Sequence, residues 1–221
     1  SMSERILAGQ VASAGLAVGP LRLLARAAEA ARPQGSREEE LAALRKAVAQ
    51  AASELEALAE KADAMAADIL SFQQALLEDE DLVHPILAEV AAGQAAAAAW
   101  RAALDREIAA YQEGEDEYFR ARGADLGDLR DRVLRALAPQ NAEADLASGI
   151  LAAEDLTPTA FLEADWTHLQ GAVLRGGSAS SHVAMLARAR GVPLLIGLGE
   201  GFDALTEGAA AILDAEQGLL I

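Results

Sequence analysis

Apolar side chains recur at Leu41, Leu44, Val48, Ala51, Leu55, Leu58, Ala62 and Met65, in steps of three and four. Such steps return to one side of an α-helix, so the pattern predicts one long amphipathic helix with an apolar stripe. Ser36 and Glu39 stand at capping-box spacing just after the breaker cluster Arg32-Pro33-Gln34-Gly35, which opens that helix. The expected setting is a bundle of antiparallel helices, since the strong positions are too few for a free coiled coil. A second helix holds Ile69, Leu70, Phe72, Leu76 and Leu77 and runs into the acidic stretch Glu78-Asp79-Glu80-Asp81, expected to be a solvated loop or helix end. Pro85 is expected in the first turn of a short third helix that Gly93 closes. Trp100, Ala103, Leu104, Ile108, Tyr111 and Tyr118 predict a further long helix, and Leu126, Leu129, Val133 and Leu137 another that stops before Pro139. Four to six helices should therefore fill residues 36 to 138.

On both sides of this stretch the texture changes. Residues 5 to 24 mix short apolar runs with Gly9, Gly15, Gly19 and Pro20, which predicts one or two strands joined by turns. After Asn141 the runs Gly149–Ala153, Gly171–Leu174, Pro193–Gly197 and Ala210–Leu213 are short, apolar and bounded by turn residues, the signature of buried strands. A helical segment from His182 to Arg190 lies among them, so this half is α/β. The opening strand has no other sheet to join. The expected fold is an α/β domain built from residues 1–30 and 142–221, with an all-α helical bundle at 31–141 inserted into it.

Composition narrows the partners. The chain has 221 residues, of which 52% are apolar and only 4% aromatic, and its formal net charge is −17. So acidic a surface argues against nucleic acid or an anionic membrane, where binding rests on clustered Lys and Arg, and favours a basic protein partner. The absence of cysteine excludes disulfide and thiolate chemistry, and the cytoplasm is the expected compartment. The longest apolar run, Ala95 to Trp100, is too short to span a bilayer, and the leading Ser1-Met2 reads as a cloning remnant before a start with no signal peptide.

The sharpest local feature is Gly176-Gly177-Ser178-Ala179-Ser180-Ser181-His182, set between a strand and an amphipathic helix. Glycines let backbone amides approach an anion, Ser180 or Ser181 can cap the helix, and a helix N-terminus offers donors and positive potential. A phosphate suits such a place. His182 stands in the first turn, where the positive helix end favours neutral imidazole, the form that is nucleophilic towards phosphorus. The local residues alone equally allow a histidine that only caps or packs. His84 and His168 have no Cys, His or carboxylate at a spacing typical of a metal site.

The run Ser180-Ser181-His182, followed by Ala187-Arg188 and Gly191-Val192-Pro193, resembles the phosphohistidine signature of phosphoenolpyruvate-utilising enzymes. Val11 to Pro20, Ala75-Leu76-Leu77-Glu78-Asp79 and Glu154-Asp155-Leu156-Thr157-Pro158 are similar to one branch, Enzyme I of the phosphoenolpyruvate:sugar phosphotransferase system with its multiphosphoryl transfer and nitrogen-system relatives. The resemblance covers nearly the whole chain. It implies a swivelling phosphohistidine domain and a helical domain that docks the small phosphocarrier HPr or a homologue. It further implies a phosphoenolpyruvate-protein phosphotransferase of bacterial sugar transport, in which His182 takes the phosphoryl group and passes it to a histidine of the carrier. Gly177, Ser178, Ser180, Ser181 and Arg188 would then surround the phosphoryl group, and Phe72, Leu76, Leu77, Glu78, Asp79 and Glu80 would lie at the docking surface. The family's phosphoenolpyruvate-binding barrel, with its magnesium, would begin beyond Ile221, so no cofactor is expected in this piece, which should be a monomer. The family usually has Thr where Ser180 stands, and many members have a histidine where this chain reads Phe72-Gln73-Gln74. Two alternatives stay open: a helical interaction module with a structural histidine, and the same chemistry serving nitrogen regulation.

Overall fold

The computed structural model describes residues 4–24, 32–114, 116–138 and 148–221. The opening segment forms three strands where one or two were expected: β1 (Leu7–Ala8), β2 (Gln10–Ser13) and β3 (Leu16–Leu23). Two compact units divide the chain, Ser1–Ala27 with Glu143–Ile221 and Ala28–Ala142. Both crossing points of the expected boundaries, near residues 30 and 142, lie outside the described residues.

Among the described residues five helices make up the second unit. In α1 (Arg37–Ala59) the capping box is present in full: Glu39 N donates to Ser36 Oγ and Ser36 N donates to the Glu39 carboxylate, each at 3.2 Å. Leu44, Ala47, Ala51 and Leu55 are its buried face, while Leu41, Val48 and Leu58 are half-buried. The predicted stripe does not belong to one helix. Asp63 accepts from Ala66 N at 2.9 Å and starts a new one, α2 (Ala64–Glu78), leaving Ala62 in the turn and Met65 exposed. An aspartate that captures a backbone N–H ends apolar periodicity as firmly as a proline does.

The acidic run is a junction between helices. Asp79 terminates α2 and caps α3 (Glu80–Ala91), accepting from Asp81 N at 2.9 Å. Pro85 is therefore inside α3 and not in its first turn. Carboxylates at Asp79, Glu80 and Asp81 favour the positive helix end and set the start earlier than the proline suggested, at the cost of the bond that Asp81 O would have received. Gly93, at φ +114°, closes α3 by donating to Val90 O. Next come α4 (Ala96–Gln112) and α5 (Glu117–Leu137). Tyr118 belongs to α5 and not to the helix of Trp100, because Asp116 accepts from Tyr118 N and begins a separate helix.

Two polar features hold this unit in register. Ala95, at the N-terminus of α4, makes no side-chain cap; the carboxylate of Glu40 on α1 takes that place, accepting from Ala96 N at 3.1 Å, from Arg32 Nη1 at 2.5 Å and from Gly35 N at 3.3 Å. Deeper in, fully buried Gln73 on α2 donates from Nε2 to Asp125 O at 3.0 Å and to Asp128 Oδ2 at 3.3 Å on α5.

The first unit continues with β4 (Gly149–Ala153), the short α6 (Pro158–Glu163), β5 (Leu169–Leu174), α7 (His182–Arg190), β6 (Leu194–Ile196), a 3-10 turn at Gly199–Ala204, β7 (Ala210–Asp214) and β8 (Leu219–Leu220). All four expected runs are strands. The sheet has eight, in the order β1-β8-β7-β3-β4-β5-β6-β2, and β3 through β6 run parallel. Leu21, Ile150, Ala152, Val173, Leu195 and Leu213 fill its core. The opening strands do join this sheet: β3 pairs with β4 and β7, and β2 pairs with β6. Among the described residues no helix is long and apolar enough to cross a membrane.

Burial alone would raise the Glu40 carboxyl, but hydrogen bonds from Ala96 N, Arg32 and Gly35 N, together with the Arg32 charge, hold it below its ordinary value. A folded-state value below the unfolded one means stability present above about pH 4.5 and lost as pH falls through the depressed value. Glu40→Gln should cost about 1–3 kcal/mol in denaturant unfolding at pH 7, and the difference from the parent chain should shrink at pH 3.

Candidate functional site

The loop that leaves the carboxyl end of β5 enters α7, and in parallel sheets ligand crevices form at such strand ends. Gly176 N donates to Glu154 O and Gly197 N donates to Gly176 O, which seats the start of the loop between the ends of β4 and β6. Gly177 has φ +102°, and a Cβ there would lie 3.1 Å from Ile196 Cγ2, so the turn requires glycine on both counts. Ser178 Oγ lies 2.9 Å from Ser180 Oγ and accepts from Ser180 N at 3.2 Å, which folds the two hydroxyls together.

Ser181, and not Ser180, is the helix cap. Its extended backbone and its Oγ, which accepts from Ala184 N at 3.1 Å, stop the loop and start α7 at His182. Val183, Ala184, Leu186 and Ala187 are buried and anchor the helix, whereas Ser181 and His182 are half-buried, reachable but supported. Gly191, at φ +68°, ends α7 in a left-handed cap with Val192 N donating to Ala187 O at 2.9 Å. His182 is thus the first residue of a nine-residue helix fixed at both ends.

Arg188 is exposed, yet its Nη1 donates to Ala12 O of β2 at 2.8 Å and to Ala179 O of the loop at 3.1 Å. Of the residues singled out by sequence in this unit, Gly177, Ser178, Ser180, Ser181, His182 and Arg188 are all gathered on this one loop and helix. The bond to Ala12 spans 176 positions and leaves no local sequence signal. Arg175, just before the loop, pairs with Asp203, which raises its pKa further, and its guanidinium lies 5.8 Å from the Phe202 ring. Among the described residues no three His, Asp or Glu side chains converge as a metal-binding group.

In the helical unit the sequence-derived docking residues separate. Leu77 is buried, only 7% exposed, so it is a core side chain and offers nothing to a partner, a correction to the expectation. Its place in the stripe shared with Leu70 and Gln73 on α2 explains why. Phe72 and Leu76 are half-buried; Glu78, Asp79 and Glu80 are exposed, with Asp79 engaged as the cap.

Sequence reasoning missed an aromatic cluster. Phe72, Tyr111, Phe119 and Tyr118 form a chain of ring contacts at 6.5, 6.1 and 5.7 Å, and the Arg122 guanidinium sits 4.5 Å from the Phe72 ring and 5.5 Å from that of Tyr118. Tyr118 is 57% exposed and Phe119 45%. In a chain with four Phe, two Tyr and two Trp, half the aromatic side chains therefore meet in one partly open patch. Scarcity of aromatics was visible in the composition; that three helices bring these four together was not.

Residues 8–122 match the family model described as the N-terminal region of phosphoenolpyruvate-utilising enzymes, and residues 146–218 match the model of their mobile domain. The chain belongs to the phosphoenolpyruvate-utilising enzyme family. Among its relatives, a multiphosphoryl transfer protein of Escherichia coli O6:H1 is 30% identical over 99% of this chain and 27% of its own length. A phosphoenolpyruvate-protein phosphotransferase of Streptomyces coelicolor is 32% identical over 97% of this chain and 40% of its own. The chain thus spans between about a quarter and two-fifths of these relatives. A solution structure of Enzyme I superposes with a TM-score of 0.76 at 24% identity, covering 97% of this chain and 92% of that one, which establishes the shared fold. In this family member the mobile-domain match contains the whole Gly/Ser loop and α7.

Gly177→Ala combines a strained φ with a tight contact on β6. It should destabilise the α/β unit by about 1–3 kcal/mol in denaturant unfolding, whereas Gly191→Asn, at a left-handed position with nothing near its Cβ, should cost well under 1 kcal/mol.

Proposed function

We propose that His182 carries a phosphoryl group and exchanges it with a histidine of a small HPr-like phosphocarrier protein, as the N-terminal part of a phosphoenolpyruvate-protein phosphotransferase. The observation that carries this reading is the placement of a half-buried imidazole at the first residue of α7, behind a Gly/Ser loop at the carboxyl end of a parallel strand. A ring nitrogen of His182 attacks phosphorus as the bond to the donor's imidazole breaks. One P–N bond replaces another, so the exchange is close to balanced and runs both ways. Ser178, Ser180, the capping Ser181 and the loop amides supply hydrogen bonds to the transferring oxygens, as oriented donors do wherever charge develops.

In this reading the α/β unit is the swivelling phosphohistidine domain and the helical unit, inserted between β3 and β4 in the chain, docks the carrier. Tyr118 and Phe119, linked to Phe72 through Tyr111, supply the apolar centre, and Glu78 and Glu80 lie among the acidic groups that attract a basic carrier surface. Charge of this kind raises the encounter rate, while buried aromatics hold the complex. The family resemblance assigns phosphoenolpyruvate binding, with its magnesium, to a barrel, and in this reading the carrier is the partner with which His182 exchanges phosphate. The reaction belongs to the cytoplasm, and the carrier decides whether it serves sugar uptake or nitrogen regulation.

Incubation with a phosphorylated carrier should place acid-labile phosphate on His182. His182→Ala should keep the circular dichroism of the parent and accept none; phosphate appearing elsewhere, or none on the parent with any of a panel of carriers, would overturn the assignment. Phe119→Glu should raise the carrier KM by about tenfold while leaving His182 able to react with a small phosphoramidate donor.

A further inference from the structure

Arg188 lies six residues beyond His182 on α7, at the exposed side of the helix, and its place in the same helix alone would suggest a phosphate ligand. Its hydrogen bonds say otherwise. Nη1 is shared between two backbone carbonyls, Ala12 O at 2.8 Å and Ala179 O at 3.1 Å. The first belongs to β2, the edge strand that pairs with β6, in a stretch where the register shifts between Val11 and Ser13. The second is in the loop one residue after Ser178 and one before Ser180, whose hydroxyls are 2.9 Å apart. One guanidinium thus ties together an irregular edge strand, the Gly/Ser loop and the helix that bears His182.

The geometry points to Arg188 as a positioning residue for phosphoryl transfer, one that fixes the loop by its carbonyls so that the serine hydroxyls and the helix cap hold a constant relation to His182. This inference rests on the phosphoryl-transfer reading for its functional half and on the hydrogen bonds for its structural half. Two features support a brace. Gly177 turns the loop with a positive φ, and the loop's own bonds, from Ser181 N to Ser178 O and from Ser180 N to Ser178 Oγ, are local. These bonds shape the small turn without by themselves setting where it points. A planar guanidinium reaching two carbonyls from one nitrogen does set it, and a lysine ammonium could reach them but without a fork to set the direction.

The test uses the whole chain with Arg188→Ala and Arg188→Lys. Amide hydrogen exchange without any carrier should show protection of residues 178–184 falling about tenfold or more in the Ala variant, with the helical unit and the circular dichroism unchanged. Exchange with phosphorylated carrier should lose on the order of 10- to 100-fold in kcat at unchanged KM, and Lys should restore part of both signals. Unchanged loop protection with lost transfer would mean direct contact with the phosphoryl group and would overturn the positioning role, and so would weakened protection with unchanged kcat. If the parent chain accepts no phosphoryl group, the functional reading fails by itself, and loop protection alone then decides whether Arg188 is a brace.

Discussion

Three pairs, Leu21 with Ile150, Arg22 with Leu151 and Leu23 with Ala152, join β3 to β4 in parallel, and the position of every residue at the site follows from that pairing. Without it the sheet divides into β1-β8-β7-β3 and β4-β5-β6-β2, and β4, whose end receives Gly176, becomes an edge strand. The pairing is demanding. Gly149 enters β4 at φ +147°, where a Cβ would meet Pro20 O at 2.2 Å, so two backbones approach to a distance that only glycine permits. It also joins segments about 125 residues apart, which for a structureless loop would cost about 4 kcal/mol in closure entropy. Five helices that build their own core, from Leu44 and Leu55 to Leu126 and Val133, leave far less freedom to lose.

Within the site, polar groups are divided by task. Ser181 terminates the loop and satisfies a first-turn amide, Ser178 and Ser180 face one another, and Arg188 addresses carbonyls. Apolar residues do the anchoring: Val183, Ala184, Leu186 and Ala187 fix α7 to the unit so that its first residue has a defined place while remaining only half-buried. A nucleophile on a nine-residue helix closed by Ser181 and Gly191 has little conformational freedom, which is the condition for transfer without a costly search for geometry.

What the sequence made legible was what local chemistry determines. The capping box at Ser36, the apolar strand runs and the loop before His182 each depend on residues within a few positions. The failures share one cause. Apolar periodicity runs through Asp63 and Asp116 as if they were neutral, although each captures a backbone N–H and starts a new helix, so Met65 and Tyr118 were assigned to the wrong ones. Pro85 outweighed three carboxylates in the expectation and not in the fold. Buried Gln73, Asp128 and Arg132 leave no mark in an apolar stripe, because their partners come from other helices. The bonds of Arg188 to Ala12 and of Glu40 to Ala96 are likewise invisible to any local pattern.

A carrier must release what it accepts, and this limits how firmly the loop should hold a phosphoryl group. Hydrogen bonds from hydroxyls and amides to a phosphoryl oxygen lack the opposite charge and the fork of a guanidinium, so a site lined by Ser178, Ser180 and Ser181 binds without trapping. A guanidinium aimed squarely at the phosphate would add a bidentate, charge-assisted clamp and favour the loaded histidine over the loaded carrier. Spending Nη1 of Arg188 on Ala12 O and Ala179 O turns that strong donor towards the backbone, where it adds rigidity, and tempers its pull on the cargo. Precision and reversibility, which oppose one another when one group must both position and bind, are then supplied by different atoms.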